Sequence, residues 1–88
     1  MVELIDFYAD WCGPCVVMEP VTEELEKEMA GKVNIRKVDV DKDQAEASKY
    51  GVMSIPTYII LKDGREVDRF IGSTSKESVV SKINAHVS

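Results

Sequence analysis

The sequence predicts an α/β protein with a four-stranded mixed sheet flanked by three helices, in the order β-α-β-α-β-β-α. Short apolar segments typical of strands alternate with longer segments whose apolar residues recur at helical spacing. The first two strand-like segments flank a helix, and such a connection is nearly always a right-handed parallel crossover. The dipeptide Asp63-Gly64 separates the last two strand-like segments. This pair is a strong β-hairpin signal, so the sheet should also contain an antiparallel pair.

The length and charge of the chain limit its class. Its 88 residues suffice for one domain, which we expect to span residues 1–88. Sixteen acidic against eleven basic residues give a net charge of −5, which disfavours nucleic acid or an anionic membrane as a partner. No apolar run approaches the roughly 20 residues of a membrane helix, and the N-terminus lacks the pattern of a secretory signal. We expect a cytoplasmic monomer.

The first half of the chain predicts a strand and a long helix. Val2–Tyr8 is short and mostly apolar, as expected for a buried strand. A helix should follow over residues 12–30, with Pro20 inside it and Gly31 as its C-terminal cap. Apolar residues at four-residue steps are expected to form its buried stripe: Val17, Val21, Leu25 and Met29.

The next segments predict a strand, a short helix and a hairpin. Residues 33–40 alternate β-branched and polar side chains, which is typical of a strand. Asp41 is expected to cap a short helix that ends at Gly51. Residues 56–62 and Arg65–Ile71 are the two strands expected on either side of the hairpin turn.

The last segment predicts a third helix. Thr74 is expected to cap it, because a glutamate follows three residues later, as in a capping box. Its apolar face should be formed by four residues: Val79, Val80, Ile83 and Val87.

The only two cysteines, Cys12 and Cys15, lie three residues apart between a predicted strand and a predicted helix. The positive end of a helix dipole and unpaired N–H groups stabilise a thiolate at this place, and the thiolate is the form that attacks disulfides. So close a pair in a chain without an export signal is redox-active or metal-binding rather than structural. A four-thiolate metal site would require a dimer.

Four segments together resemble the thioredoxin family: residues 6–15, with the sequence DFYADWCGPC, residues 37–41, residues 49–57 with the IPT tripeptide, and Gly72. The resemblance implies the thioredoxin fold. The chain differs from typical members by lacking their N-terminal strand and helix, which should leave residues 33–40 as a free sheet edge. It also carries Tyr8 where Trp is frequent, and Val16 where Lys or Arg is common.

The resemblance implies a role for each residue around the cysteines. Cys12 is expected to be the nucleophile, and Cys15 the more buried, resolving thiol. Gly13 and Pro14 set the loop at the helix start. Asp6 should be a buried acid that moves protons to and from Cys15, with Lys37 as its partner. The plainer alternatives are a paired structural carboxylate for Asp6 and an exposed strand lysine for Lys37.

The resemblance also implies a docking surface for protein substrates. Ile55-Pro56 corresponds to the cis-proline site that faces the cysteines, where the Ile55 backbone pairs with an extended substrate segment. The alternative is a proline that only begins the third strand. Trp11 and Gly72 are expected to dock partners. Three further residues fit either a docking rim or the core: Met53, Ile55 and Ile71.

The function implied by the resemblance is that of a protein-disulfide reductant, an electron carrier that cycles between dithiol and disulfide. A thioredoxin reductase would recharge it, and it would need no bound cofactor and no metal. Three alternatives remain open from the sequence. They are a disulfide oxidase or isomerase, a metal-bridged thiolate dimer, and a non-catalytic interaction domain of the same fold.

Overall fold

The computed structural model describes residues 1–87, and this range contains one mixed sheet and three helices. The strands are β1 (Val2–Tyr8), β2 (Val33–Asp39), β3 (Thr57–Lys62) and β4 (Arg65–Ile71). The helices are α1 (Gly13–Glu28), α2 (Gln44–Lys49) and α3 (Lys76–Asn84). Their order is the predicted one, β1-α1-β2-α2-β3-β4-α3, so the fold class is confirmed.

The strands lie in the order β2-β1-β3-β4. The β1–β2 pair is parallel, as expected for strands joined by a helix, and the β1–β3 and β3–β4 pairs are antiparallel. β2 forms one edge of this sheet, in agreement with the prediction for residues 33–40. No helix in residues 1–87 is long and apolar enough to cross a membrane.

Successive side chains of a strand point to opposite faces of the sheet, and apolar side chains are buried on both faces. One face packs against α1 and α3 and contains most of the core. Its largest buried members are Leu4, Met18, Leu25, Tyr58, Ile60, Val79 and Ile83. The other face packs against residues of α2 and the segment after it. It is built from Ile5, Phe7, Val38, Ile59 and Leu61.

The predicted stripe of α1 is wrong at its N-terminal end. Val17 is exposed, and Val21 is only half-buried. The buried residues of α1 are Cys15, Met18, Thr22 and Leu25. In a helix with 3.6 residues per turn, four residues rotate by about 400° around the axis. Each four-residue step therefore moves a side chain about 40° around the helix from the one before it. Val17 lies two such steps from the buried Leu25 and has rotated into solvent.

Two predicted helix caps are also displaced. Asp43, not Asp41, caps α2 and accepts a hydrogen bond from the Glu46 N–H over 3.1 Å. Ser75, not Thr74, caps α3. The helices begin one or two residues later than expected, and a cap must directly precede the first helical residue.

The hairpin prediction is confirmed. Asp63 and Gly64 join β3 to β4 with φ values of 53° and 83°. A tight hairpin of this kind requires positive φ at both central residues, which Asp and Gly tolerate best.

Candidate active site

One end of the sheet collects the loops that carry the predicted site residues. β1 and β2 end here at Tyr8 and Asp39, which are partners in the register. β3 begins here at Thr57, beside the end of β4 at Ile71. The segments that leave or enter these strands are therefore neighbours in space although they are far apart in sequence.

The two cysteines are joined by a disulfide at this end, with their Cα atoms 5.2 Å apart. Cys12 is the N-cap of α1, and its Sγ accepts a hydrogen bond from the Cys15 N–H over 3.2 Å. Each cysteine is 5 % exposed. The expectation that Cys15 is the more buried one is therefore wrong for the disulfide form, in which the two residues are equally buried.

Gly13 and Pro14 are the first two residues of α1. Proline fits the first turn because its fixed φ suits a helix and the N–H that it lacks would have no helical partner. Both residues therefore let the helix begin directly after Cys12, which places the sulfur of Cys12 beside the free N–H groups.

The segment before β3 faces the disulfide. The Ile55-Pro56 peptide bond is cis, and the Ile55 carbonyl oxygen lies 3.8 Å from Cys12 Sγ. The Gly72 N–H donates to the Pro56 carbonyl over 2.9 Å. Gly72 has a φ of 92°, which favours glycine. The structure thus brings Cys12, Ile55, Pro56 and Gly72 together.

Exposed apolar side chains surround this point. Trp11 is 71 % exposed and Met53 is 95 % exposed, and Ile71 is exposed as well. Trp11, Met53 and Ile55 line one apolar groove of about 170 Å³ beside the cysteines. Met53 and Ile71 therefore lie on the rim rather than in the core, whereas Ile55 is half-buried between the rim and the core.

Asp6 lies on the α1 side of β1, and it is 4 % exposed. Burial is the main influence on this carboxyl and raises its pKa to about 6, since desolvation disfavours the charged form. The positive charge of Lys37 opposes this rise, while Glu26 and Glu19 of α1 add to it.

Lys37 is the register partner of Asp6 on β2. Its side chain is exposed, and its Nζ lies 5.1 Å from the centroid of the Tyr8 ring. Lys37 therefore acts on Asp6 through its charge and also contacts the aromatic ring next to the site.

Sequence reasoning missed two residues near the site. Asp41, expected to be a helix cap, accepts a hydrogen bond from Trp11 Nε1–H over 2.7 Å. The loops after two parallel strands meet at one sheet edge, and this rule would have placed Asp41 near Trp11. Tyr58, the register partner of Asp6 on β3, carried no signal in the sequence beyond its apolar strand.

Among residues 1–87, no group of three or more His, Cys, Asp or Glu side chains lies close enough to hold a metal ion. Within this described range, the Cys12–Cys15 pair belongs to no such group, so one chain does not supply the further ligands of a four-ligand site there.

Comparison with known proteins gives a consistent result. The thioredoxin family model matches residues 2–85. The chain is 51 % identical over 86 residues to thioredoxin of Bacillus subtilis (strain 168), and 48 % identical to thioredoxin of Staphylococcus aureus. Each match covers 98 % of this chain and 83 % of the relative.

A solved structure agrees with these matches. A mutant thioredoxin from Halobacterium salinarum NRC-1 superposes with a TM-score of 0.91 at 40 % identity, covering 99 % of this chain and 75 % of that one. The disulfide at a helix N-terminus, the fold and these relatives agree. The chain belongs to the thioredoxin family, and it is a protein-disulfide oxidoreductase that works by dithiol–disulfide exchange at Cys12 and Cys15.

Proposed function

We propose that Cys12 is the attacking thiol and Cys15 the resolving thiol in the reduction of protein disulfides. The observation that carries this assignment is the hydrogen bond from the Cys15 N–H to Cys12 Sγ. A sulfur that accepts this bond at the N-terminus of α1 is stabilised as a thiolate by the N–H group and by the helix dipole. Cys15 lies inside the first turn of α1 and is not at the N-terminal cap, where these effects act on Cys12.

The reaction then has two steps. The Cys12 thiolate attacks one sulfur of the substrate disulfide, a mixed disulfide forms, and the other substrate sulfur leaves as a thiolate that takes a proton from water. Cys15 next loses its proton and attacks Cys12 Sγ. The Cys12–Cys15 disulfide forms, the second substrate sulfur leaves, and two electrons have moved to the substrate.

Asp6 is the base that we assign to the second step. Its pKa of about 6 leaves it mostly ionised at neutral pH, yet far more basic than an exposed carboxylate. A pKa near the working pH suits a group that must both accept and release a proton. Lys37, its register partner, keeps that pKa from rising further.

Substrate docking is assigned to the surface around the disulfide. An extended segment of the substrate would pair with the backbone at Ile55, beside Pro56, and place its sulfur next to Cys12. Trp11 and the groove that it lines would hold apolar side chains of the substrate. Gly72, without a side chain, leaves room for the substrate backbone on the other side.

The oxidised protein must be reduced before it can act again. We assign this step to a thioredoxin reductase, which would supply two electrons without a cofactor bound to this chain. Such a cycle belongs in the cytoplasm, where thiols are kept reduced.

We further propose that residues 1–88 form one domain and that the protein acts as a monomer. Arg36 and Lys37 on edge strand β2 support the monomer, because charged side chains on an edge strand disfavour pairing with the edge of another sheet.

Single-cysteine variants test the two thiol roles. With Cys15→Ser we expect a stable mixed disulfide between Cys12 and a disulfide-bonded protein substrate, visible by mass spectrometry after acid quenching. With Cys12→Ser we expect no adduct under the same conditions. If only Cys12→Ser formed an adduct, the roles of the two cysteines would be reversed. If both variants formed adducts at equal rates, neither cysteine could be called the attacking thiol.

The reduction potential of the Cys12–Cys15 pair tests the direction of electron flow. We expect a value below that of the glutathione pool, as for a reductant. A value well above it would indicate a disulfide oxidase or isomerase.

Metal analysis of the freshly purified protein tests the thiolate-bridged alternative. We expect much less than one zinc ion for every two chains, and one ion for every two chains would support a metal-bridged dimer.

Replacement of Asp6 tests the proton transfer. Asp6→Asn should lower the rate of substrate reduction at pH 7 by roughly tenfold to a hundredfold, in the range of general base catalysis. The dependence of the rate on pH with a midpoint near 6 should disappear as well. Equal rates and equal pH profiles would show that Asp6 is a structural carboxylate only.

A further inference from the structure

Tyr58 is a buried titratable residue that the proposed reaction does not use. It is the register partner of Asp6 across the β1–β3 pair, so both side chains point to the α1 side of the sheet. Tyr58 is 1 % exposed and Asp6 is 4 % exposed. Two buried titratable side chains therefore start from neighbouring positions on the same face of the sheet.

Two oxygen atoms of this pair are buried without a hydrogen-bond partner among the described residues. They are Oδ1 of Asp6 and the hydroxyl oxygen of Tyr58. Buried tyrosine hydroxyls and carboxylates in folded proteins nearly always have a partner, from the protein or from ordered water. Unpartnered oxygens at paired positions of two neighbouring strands point to one shared ligand.

The ring of Tyr58 is held in place. It stacks on Phe70 of β4 with ring centroids 5.0 Å apart and an interplanar angle of 20°. The negative charge of Asp6 also raises the pKa of the Tyr58 phenol, in addition to the larger effect of burial. The hydroxyl therefore remains a neutral O–H donor within the electrostatic reach of Asp6.

Among the described residues, the other buried polar side chains are Thr22 and Thr57, and each hydroxyl already donates to a backbone carbonyl. The Thr22 hydroxyl of α1 donates to the Glu19 carbonyl over 3.0 Å. The charged groups that act on Asp6 are Lys37 of β2 together with Glu19 and Glu26 of α1. On the side of Phe70, the charged groups are Lys82 over its ring and the His86–Asp68 pair. Among the buried hydroxyls of the described residues, that of Tyr58 is thus the neutral donor without a partner.

We propose that Tyr58 is a positioning residue for proton transfer, acting on Asp6 through one internal water molecule that both side chains bind. The Tyr58 O–H donates to the water, and the water donates to Oδ1 of Asp6. A buried water needs two to four polar partners, and this pair supplies two of them. The inference rests on the proposed role of Asp6 as the base for Cys15.

This arrangement has a direct chemical consequence. Hydrogen bonds to the ionised form of a carboxyl lower its pKa, because they stabilise the charge that burial destabilises. The hydroxyl of Tyr58 therefore keeps Asp6 ionised at neutral pH and able to accept the proton of Cys15. Without it, the pKa of Asp6 would rise further from its ordinary range.

Tyr58→Phe tests the proposal, since it removes one oxygen and keeps the ring that stacks on Phe70. The carbon-13 shift of the Asp6 carboxyl, followed against pH in the oxidised protein, should show a higher titration midpoint than in the unchanged protein. If that midpoint rises by about one pH unit, the rate of substrate reduction at pH 6.5 should fall about threefold. Tyr50→Phe is the matched control, because Tyr50 packs on the opposite face of the sheet against Phe7.

An unchanged Asp6 midpoint in Tyr58→Phe overturns the proposal. The double variant Asp6→Asn/Tyr58→Phe should reduce substrate at the same rate as Asp6→Asn. If Asp6→Asn alone leaves the pH profile unchanged, the proton-transfer role fails, whereas the carboxyl titration still decides whether Tyr58 acts on Asp6. Should Tyr58→Phe not fold, nuclear Overhauser contacts between a bound water and the Tyr58 ring protons in the unchanged protein decide the matter, and their absence rejects the shared water.

Discussion

Trp11 Nε1–H donates a hydrogen bond to Oδ2 of Asp41 over 2.7 Å. The bond joins the loop before Cys12 to the segment after β2, and so it fixes an indole that is largely exposed beside the disulfide. A docking side chain that is held in one orientation loses less conformational entropy when a partner binds. Under the docking role proposed for Trp11, Asp41 would affect substrate binding without being one of the residues that line the groove.

Removal of that acceptor should weaken docking. For Asp41→Ala we expect KM for a protein substrate to rise by about twofold to tenfold, which corresponds to the loss of one hydrogen bond. Trp11 is the only tryptophan, so its fluorescence anisotropy should fall in the same variant. Asp10→Asn, at an exposed residue of the same loop, is the control. Unchanged anisotropy in Asp41→Ala would contradict the orienting role.

The raised pKa of Asp6 predicts a dependence of stability on pH. In the folded protein the Asp6 carboxyl keeps its proton up to a pH near its pKa of about 6, whereas in the unfolded chain it loses the proton near its ordinary pKa of 3.8. Stability should therefore fall as pH rises between about 4 and 6, by about 3 kcal/mol at most from this group. Asp6→Asn should then be more stable than the unchanged protein at pH 7.

Urea unfolding of both proteins at pH 4 and pH 7 measures this difference. We expect the gain in unfolding free energy of Asp6→Asn to be about 1–3 kcal/mol at pH 7 and to shrink toward zero at pH 4. If the two proteins differ in unfolding free energy by the same amount at pH 4 and at pH 7, the pKa of Asp6 is not raised by folding.

Gly72 should resist substitution because of its backbone conformation. Its φ of 92° is strained for any residue with a Cβ, although a Cβ there would meet no atom within 4 Å. Gly72→Ala should therefore lower the unfolding free energy by about 1–2 kcal/mol. Gly13→Ala is the matched control: it also has open space, its φ is not positive, and alanine favours a helix. Equal effects of the two changes would exclude backbone strain as the cause.

The corrected face of α1 makes a prediction for stability. Met18→Ala should cost about 2–5 kcal/mol, because Met18 is buried in the core between the sheet and the helices. Val17→Lys should change the unfolding free energy by less than about 0.5 kcal/mol, since Val17 lies on the surface. Thermal unfolding of both variants measures these changes. A large loss of unfolding free energy in Val17→Lys would show that Val17 is buried, as the sequence pattern predicted.

Local patterns identified most elements because their causes are local. The Asp63-Gly64 turn depends on two residues that tolerate positive φ, and the strands depend on runs of apolar and β-branched side chains. The helix caps were displaced because Asp41 and Asp43 are chemically equal candidates. Val17 was misassigned because a four-residue repeat only approximates the helical period.

The sequence by itself determined the fold class, the place of the cysteine pair at a helix start and the resemblance to the family, since each rests on short motifs or regular spacing along the chain. The tertiary structure alone decided that Tyr58 lies beside Asp6 and that Asp41 holds Trp11. Strand register and the meeting of loops at one sheet edge depend on contacts between distant segments. Those contacts join segments that are distant along the chain, so the pairing of individual residues, unlike the shared sheet edge, is settled only when the core packs.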